Sequence, residues 1–196
     1  MSGERPPTGG ARLQPLPGVA SEAAPTPSRS LRGAAVVADP LVGELLEACL
    51  VGLLATLEPD GSVHAIPIWY ARDGDAIVFA TGSRSHKVRN LRRDPRATFV
   101  VHDSRPGAEV CGASIRGVVE LVEGAAATPL VELVHRRYVT PAGKRLPATA
   151  VHLGVDDVVI RLLPATAFTW DERASAAARE LRDAGAALPL EPTSPR

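Results

Sequence analysis

The densest run of chemically capable side chains is FATGSRSHKVRNLRRDP, residues 79–95. It begins as an apolar strand and passes through Gly82, Ser83 and Ser85. It then changes to helical spacing, with Val88 and Leu91 three residues apart and Pro95 just beyond the expected helix end. A helix N-terminus presents backbone N–H groups without intrahelical partners and a partial positive charge. Thr81 and Ser85 add hydroxyls there, and Lys87 adds an ammonium. These are the donors that a phosphate group requires. The same residues also suit an N-capped surface helix on which Arg89, Arg92 and Arg93 form a solvated face. A GxxxxGKS/T pattern is missing, which argues against a nucleoside-triphosphate loop.

Other reactive side chains fall into weaker patterns. The five histidines, at 64, 86, 102, 135 and 152, form neither HxxxH nor HExxH, so no metal site is expected. Ser85 and His86 are sequence neighbours on a helix and point apart, which excludes a triad. His102-Asp103, just after a strand, has the residue types of a catalytic pair but reads better as a loop-edge histidine, and Cys111 reads as small core filler. Trp69 and Trp170 read as core aromatics, and no residue stands out as a general acid or base.

The elements that must hold the Thr81–Lys87 block are mostly strands. Asp39-Pro40 caps a short helix to about residue 49, with Leu41, Leu45 and Cys49 on one face. Strands are expected over 51–59, 62–72 and 75–82, joined by Asp60-Gly61 and Asp73-Gly74 turns into an antiparallel meander. A helix over 85–93 follows, then strands over 96–103 and 113–124, with Gly117 marking a bulge. Thr128-Pro129 opens a helix, 140–149 reads as a loop, and strands over 151–164 and 167–170 close the sheet. The expected fold class is mainly β, an antiparallel barrel with a few helices. Residues 1–37 hold six prolines and few large apolar side chains, so they read as a disordered tail that adds nothing to the core. The barrel domain is expected over 38–170, with an alanine-rich helix and a frayed tail over 171–196.

Composition bounds the function. The chain has 196 residues, 45% of them hydrophobic, and 22 basic residues balance 22 acidic ones. Without a basic excess, nucleic acid is not an expected partner. No apolar stretch approaches a membrane span, so no membrane partner is expected. Two lone cysteines and an N-terminus without an apolar core fit a cytoplasmic protein. Lys87 is one of only two lysines, which makes its place beside Ser85 conspicuous.

The run from LATLEPDGSVHAIPIWY to DAIVFATGSRSHKVRNLRRDP resembles the pyridoxamine 5'-phosphate oxidase-like, flavin-binding split β-barrel superfamily. Thr81 lies six residues before Lys87, and Lys87 eight before Pro95, as in that pattern. The resemblance implies a split antiparallel β-barrel, a homodimer with the cofactor at its interface, and a small-molecule substrate. It implies that Thr81, Ser85 and Lys87 hold the phosphate of FMN and that Asn90 reaches the cofactor. The strand His64–Trp69, including Ile66, Pro67 and Ile68, would lie along the flavin ring, and Trp170 would approach the partner chain's cofactor. Classical members carry an arginine near His64, and their substrate-binding end is not recognisable after residue 164, so pyridoxamine phosphate is not the expected substrate. A branch of the superfamily uses the deazaflavin coenzyme F-420, often with R-x-K where this chain has Ser85-His86-Lys87, and the serine favours FMN. The resemblance implies a flavin- or deazaflavin-dependent oxidoreductase. The alternative is a non-catalytic flavin- or heme-binding protein for storage, sensing or regulation.

Overall fold

A computed structural model describes residues 28–105, 109–153 and 157–185. Its framework is one eight-stranded antiparallel sheet. The strands are β1 (Arg29–Arg32), β2 (Gly52–Leu57), β3 (Val63–Ile68), β4 (Ala71–Asp73), β5 (Ala76–Gly82), β6 (Arg96–Arg105), β7 (Glu109–Val122) and β8 (Asp157–Asp171). Their order is β3-β2-β6-β7-β8-β5-β4, with β1 added against β8. The two outermost strands, β3 and β4, are consecutive in the chain and separated only by Trp69 and Tyr70. Two residues cannot cross a flat seven-strand sheet, in which neighbouring strands lie about 4.8 Å apart. The sheet must therefore curl until its edges meet, and the barrel closes through the chain rather than through a ladder of hydrogen bonds.

The expected single strand over 62–72 is thus two strands on opposite edges. The break is held by Tyr70, whose ring is fully buried. Its hydroxyl bonds the carbonyls of Leu45 (2.7 Å) and Ala48 (3.1 Å), and its N–H donates to Tyr138 Oη (3.2 Å). Leu45 and Ala48 belong to the C-terminal end of α2 (Pro40–Glu47). Arg137 donates to Leu46 O and Ala48 O at that same end, so two distant side chains satisfy carbonyls that have no partner within the helix. At its other end α2 has the expected cap, with Asp39 Oδ1 accepting from Leu41 and Val42 N–H. Leu41, Val42, Leu45 and Leu46 are buried with Phe79, Phe99, Ile115 and Ile160 in the main core.

The Gly61 and Gly74 turns form as expected, with φ of 85° and 60°, values that favour glycine. The bulge is also present: the β7–β8 register shifts between Arg116 and Gly117, where an added Cβ would overlap the Leu163 carbonyl. Two further expectations are corrected. Residues 29–37 of the expected tail are not tail: β1 pairs Arg29–Arg32 with Thr166–Thr169, and α1 (Ala34–Ala38) buries Val36 completely. The first half of β8 pairs with β5, leaving its second half with unpaired backbone groups, and β1 satisfies them. Residues 1–27 lie outside the described residues. The second correction concerns 140–153, expected as loop and strand, which holds α5 (Pro141–Lys144) and α6 (Pro147–Leu153). Before them, α4 (Thr128–Tyr138) lays Val134 on Ala71, Val78 and Val159 outside the barrel. Near the C-terminal end, α7 (Ala176–Asp183) buries Ala178. The frayed tail expected beyond residue 185 lies outside the described residues.

Candidate functional site

The helix that follows β5 is α3 (His86–Arg93). Val88 and Leu91 bury its apolar face, and Pro95 stands two residues past its end. Ser85 occupies the N-cap position with extended backbone, and its N–H donates to Gly82 O at 3.0 Å. Its side chain makes no capping hydrogen bond. The Ser85 hydroxyl is nonetheless buried, with no hydrogen-bond partner among the described residues. A buried hydroxyl without a partner costs about 1–3 kcal/mol, so folded chains seldom keep one without a use. Two residues on, Lys87 is half-buried, and burial pushes its ammonium below the ordinary lysine range. Among the described residues Lys87 has no carboxylate partner. Helix N–H groups, an unpaired hydroxyl and an uncompensated cation therefore occupy one turn of chain.

Lys87 borders a cavity of about 390 Å³. Pro67, Ile68 and Trp69 line it from one edge of the barrel, and Ala80, Thr81 and Gly82 from the other. This places it on the seam where β3 and β4 part. Its volume falls in the range of small-molecule pockets. Trp69 is fixed by stacking on Tyr138, with ring centroids 4.8 Å apart and planes 5° apart. His135 of α4 and Leu153 of α6 complete the wall. Sequence reasoning missed both. His135 lies one turn after Val131 on the face that packs toward Trp69, and that amphipathic spacing was the available signal.

The fold thus gathers Pro67, Ile68, Trp69, Thr81 and Lys87, with Ser85 on the connecting turn. It separates the other four expected residues from this cavity. Asn90 is buried, and its amide donates to Thr56 Oγ1 (3.2 Å) while its carbonyl accepts from Arg93 (3.4 Å), so it anchors α3 to β2. Ile66 packs against the main core. His64 lies beside Glu58 and His86, with Glu58 Oε1 at 3.7 Å from its Nδ1 and at 3.4 Å from that of His86. Linear motifs predicted no metal ligands. Among the described residues, Glu58, His64 and His86 are nevertheless the group whose ligand atoms converge, within 4.8 Å of one another. Trp170 stands at the far end of β8, across Gly112. An added Cβ on Gly112 would overlap its ring. A second cavity, of about 380 Å³, opens on the outer surface between β2, β3, β6 and β7 and is rimmed by exposed Val63 and Val118.

Residues 38–171 match the family model described as pyridoxamine 5'-phosphate oxidase. The chain belongs to the pyridoxamine 5'-phosphate oxidase family. The match begins after β1 and nearly all of α1, so these elements precede the family core. The split barrel of this family also appears in solved structures. A conserved hypothetical protein from Mycobacterium tuberculosis is 29% identical, with a TM-score of 0.60, covering 73% of this chain and 91% of that one. A protein named F420 reductase is 30% identical over 63% of this chain and 93% of its own, with a TM-score of 0.48. A heme binding protein from Mycobacterium smegmatis is 19% identical, with a TM-score of 0.54, covering 78% of this chain and 62% of that one. A comparison with curated proteins found no match. Among the described residues no helix is long and apolar enough to cross a membrane.

Proposed function

We propose that this member of the pyridoxamine 5'-phosphate oxidase family is a flavin- or deazaflavin-dependent oxidoreductase acting on a small organic molecule. The observation that carries the reading is Lys87, which lines the cavity with no carboxylate partner among the described residues, together with Ser85 two residues before it, whose buried hydroxyl has no hydrogen-bond partner among them. The donor set fits a phosphate-bearing coenzyme, with FMN favoured over coenzyme F-420 because a serine rather than an arginine precedes Lys87 by two residues. When bound, such a coenzyme supplies hydride or electron transfer.

The chain's own part is to bind, orient and dry the site. Lys87 Nζ and Ser85 Oγ hold the phosphate, with the first N–H groups of α3 and the Thr81 hydroxyl as further donors. Ile68, Pro67 and the braced Trp69 form a flat apolar wall that excludes water from the reacting ring. Lys87 and His135 are the titratable side chains lining the cavity among the described residues. As the family resemblance implies, a second copy of the chain would complete the site with its Trp170, and the exposed Val63 and Val118 are the apolar surface it would cover.

The deciding experiment is the absorbance spectrum and mass of whatever co-purifies, followed by titration of the full chain with FMN and with F-420. Binding of either at one per chain, with reoxidation of the reduced form by an organic acceptor, supports the reading. A heme spectrum, or tight flavin binding with no acceptor reduced, replaces it with the binding-protein alternative.

A further inference from the structure

We infer that Glu58, His64 and His86 form a binding site for one divalent transition-metal ion. The three side chains come from separate segments that the backbone already holds in place. Glu58 opens the β2–β3 turn, where its N–H donates to Ser62 O (2.9 Å) and its carbonyl accepts from Gly61 N–H (3.0 Å). His64 follows on β3, opposite Thr56. His86 is the first residue of α3, and Val88, Asn90 and Leu91 fix that helix against the barrel.

Both imidazoles turn Nδ1 toward the same oxygen, Glu58 Oε1, at 3.7 Å for His64 and 3.4 Å for His86. These separations exceed N–H···O hydrogen-bond lengths of about 2.7–3.2 Å. They match the edge of a tetrahedron about a zinc ion, about 3.4 Å when each ligand lies about 2.0–2.1 Å from the metal. The ligand atoms of all three residues lie within 4.8 Å of one another. The two rings meet edge to face, at 74° with centroids 5.1 Å apart, so neither ring covers the other's nitrogen.

Two nitrogens and one carboxylate oxygen are a borderline donor set, suited to zinc, cobalt or nickel rather than to magnesium or calcium. Three protein ligands leave a fourth position for water, and the half-exposed His86 side chain opens that position to solvent. The ion would staple the β2–β3 hairpin to the first residue of α3, beside Ser85 and Lys87. The assignment does not depend on what the neighbouring cavity binds.

The test is calorimetric titration of the full chain, stripped of metal with a chelator, with zinc chloride and separately with magnesium chloride. One zinc per chain is expected, with a raised unfolding temperature and no magnesium binding. Loss of a group that only hydrogen-bonds and orients a ligand costs about 10–100-fold in metal affinity, so loss of a direct ligand should cost at least about 100-fold. Glu58→Gln and His64→Gln, each checked by circular dichroism for a native fold, should both show that loss. Cobalt should give visible bands without a thiolate charge-transfer band, which separates this site from one built on Cys49. Absence of zinc binding by the folded chain, zinc affinity unchanged in both variants, or a thiolate band would each overturn the proposal.

Discussion

Replacing Ser85 with alanine should move stability and coenzyme affinity in opposite directions. In the free chain the Ser85 hydroxyl is buried, unpaired and does not cap α3, so its removal costs no hydrogen bond. It relieves a desolvation penalty of about 1–3 kcal/mol. At the lower end of that range, a domain of this size gains about 2–4 °C in Tm. With a phosphate in place the same hydroxyl donates to a charged acceptor, a bond worth about 1.5–3 kcal/mol. Its loss should weaken FMN binding by roughly tenfold or more. The assays are differential scanning fluorimetry of the coenzyme-free chain and flavin fluorescence titration. A Ser85→Ala chain that is less stable than the parent and binds FMN equally well would show the hydroxyl to be structural and refute the phosphate assignment.

Lys87→Ala should weaken FMN binding by about tenfold or more. In the parent chain affinity should fall as pH rises through the lowered Lys87 pKa toward the ordinary lysine value, a limb that the variant lacks; a variant with the same high-pH limb would assign the titration elsewhere. The coenzyme-free chain should gain stability over that window, because the unfolded state there holds a proton that the folded state has released. A chain starting at Ala38 loses β1, the fully buried Val36 and the Arg29–Asp39 ion pair, so it should unfold several degrees below one starting at Ser28; equal melting temperatures would make the N-terminal elements dispensable. In the proposed dimer, Val118→Glu places a charge on the apolar rim it shares with Val63, so light scattering should show a dimer for the parent and a monomer for the variant; an unchanged dimer would put the interface elsewhere.

What could be read from sequence was local. Asp39-Pro40, the two Asp-Gly turns, the Val88–Leu91 spacing and Gly117 each specify a backbone conformation within a few residues, and each forms as read. What escaped depends on distant partners. The segment Arg29–Arg32 is mostly exposed, so it has no apolar pattern to announce a strand, and the open flank of β8 decides its conformation. Nothing in VHAIPIWYAR marks a break at Trp69–Tyr70, because the groups that hold it are carbonyls at the end of α2 and the hydroxyl of Tyr138. Asn90 has the right spacing to face a coenzyme, but Thr56 on β2 takes its amide. Glu58, His64 and His86 are spread over 29 positions, and only the hairpin and helix together make them neighbours.

The seam at Trp69–Tyr70 gives the barrel a mechanical weak line. Elsewhere around the sheet, parting two strands breaks a row of backbone hydrogen bonds, whereas β3 and β4 separate by sliding side chains alone. Local opening free energies follow such differences, so transient gaping should be concentrated at these two edges and least frequent between β7 and β8, the longest pairing. The cavity sits on that line, with Ile68 and Trp69 on one bank and Ala80 and Thr81 on the other. Anything that enters bridges both banks, and the motion that admits it is the motion it then arrests. Occupancy should therefore slow amide exchange along β3 and the end of β5 more than along the barrel's far side, with the occupant acting as the rivet of a sheet that its own hydrogen bonds leave unclosed.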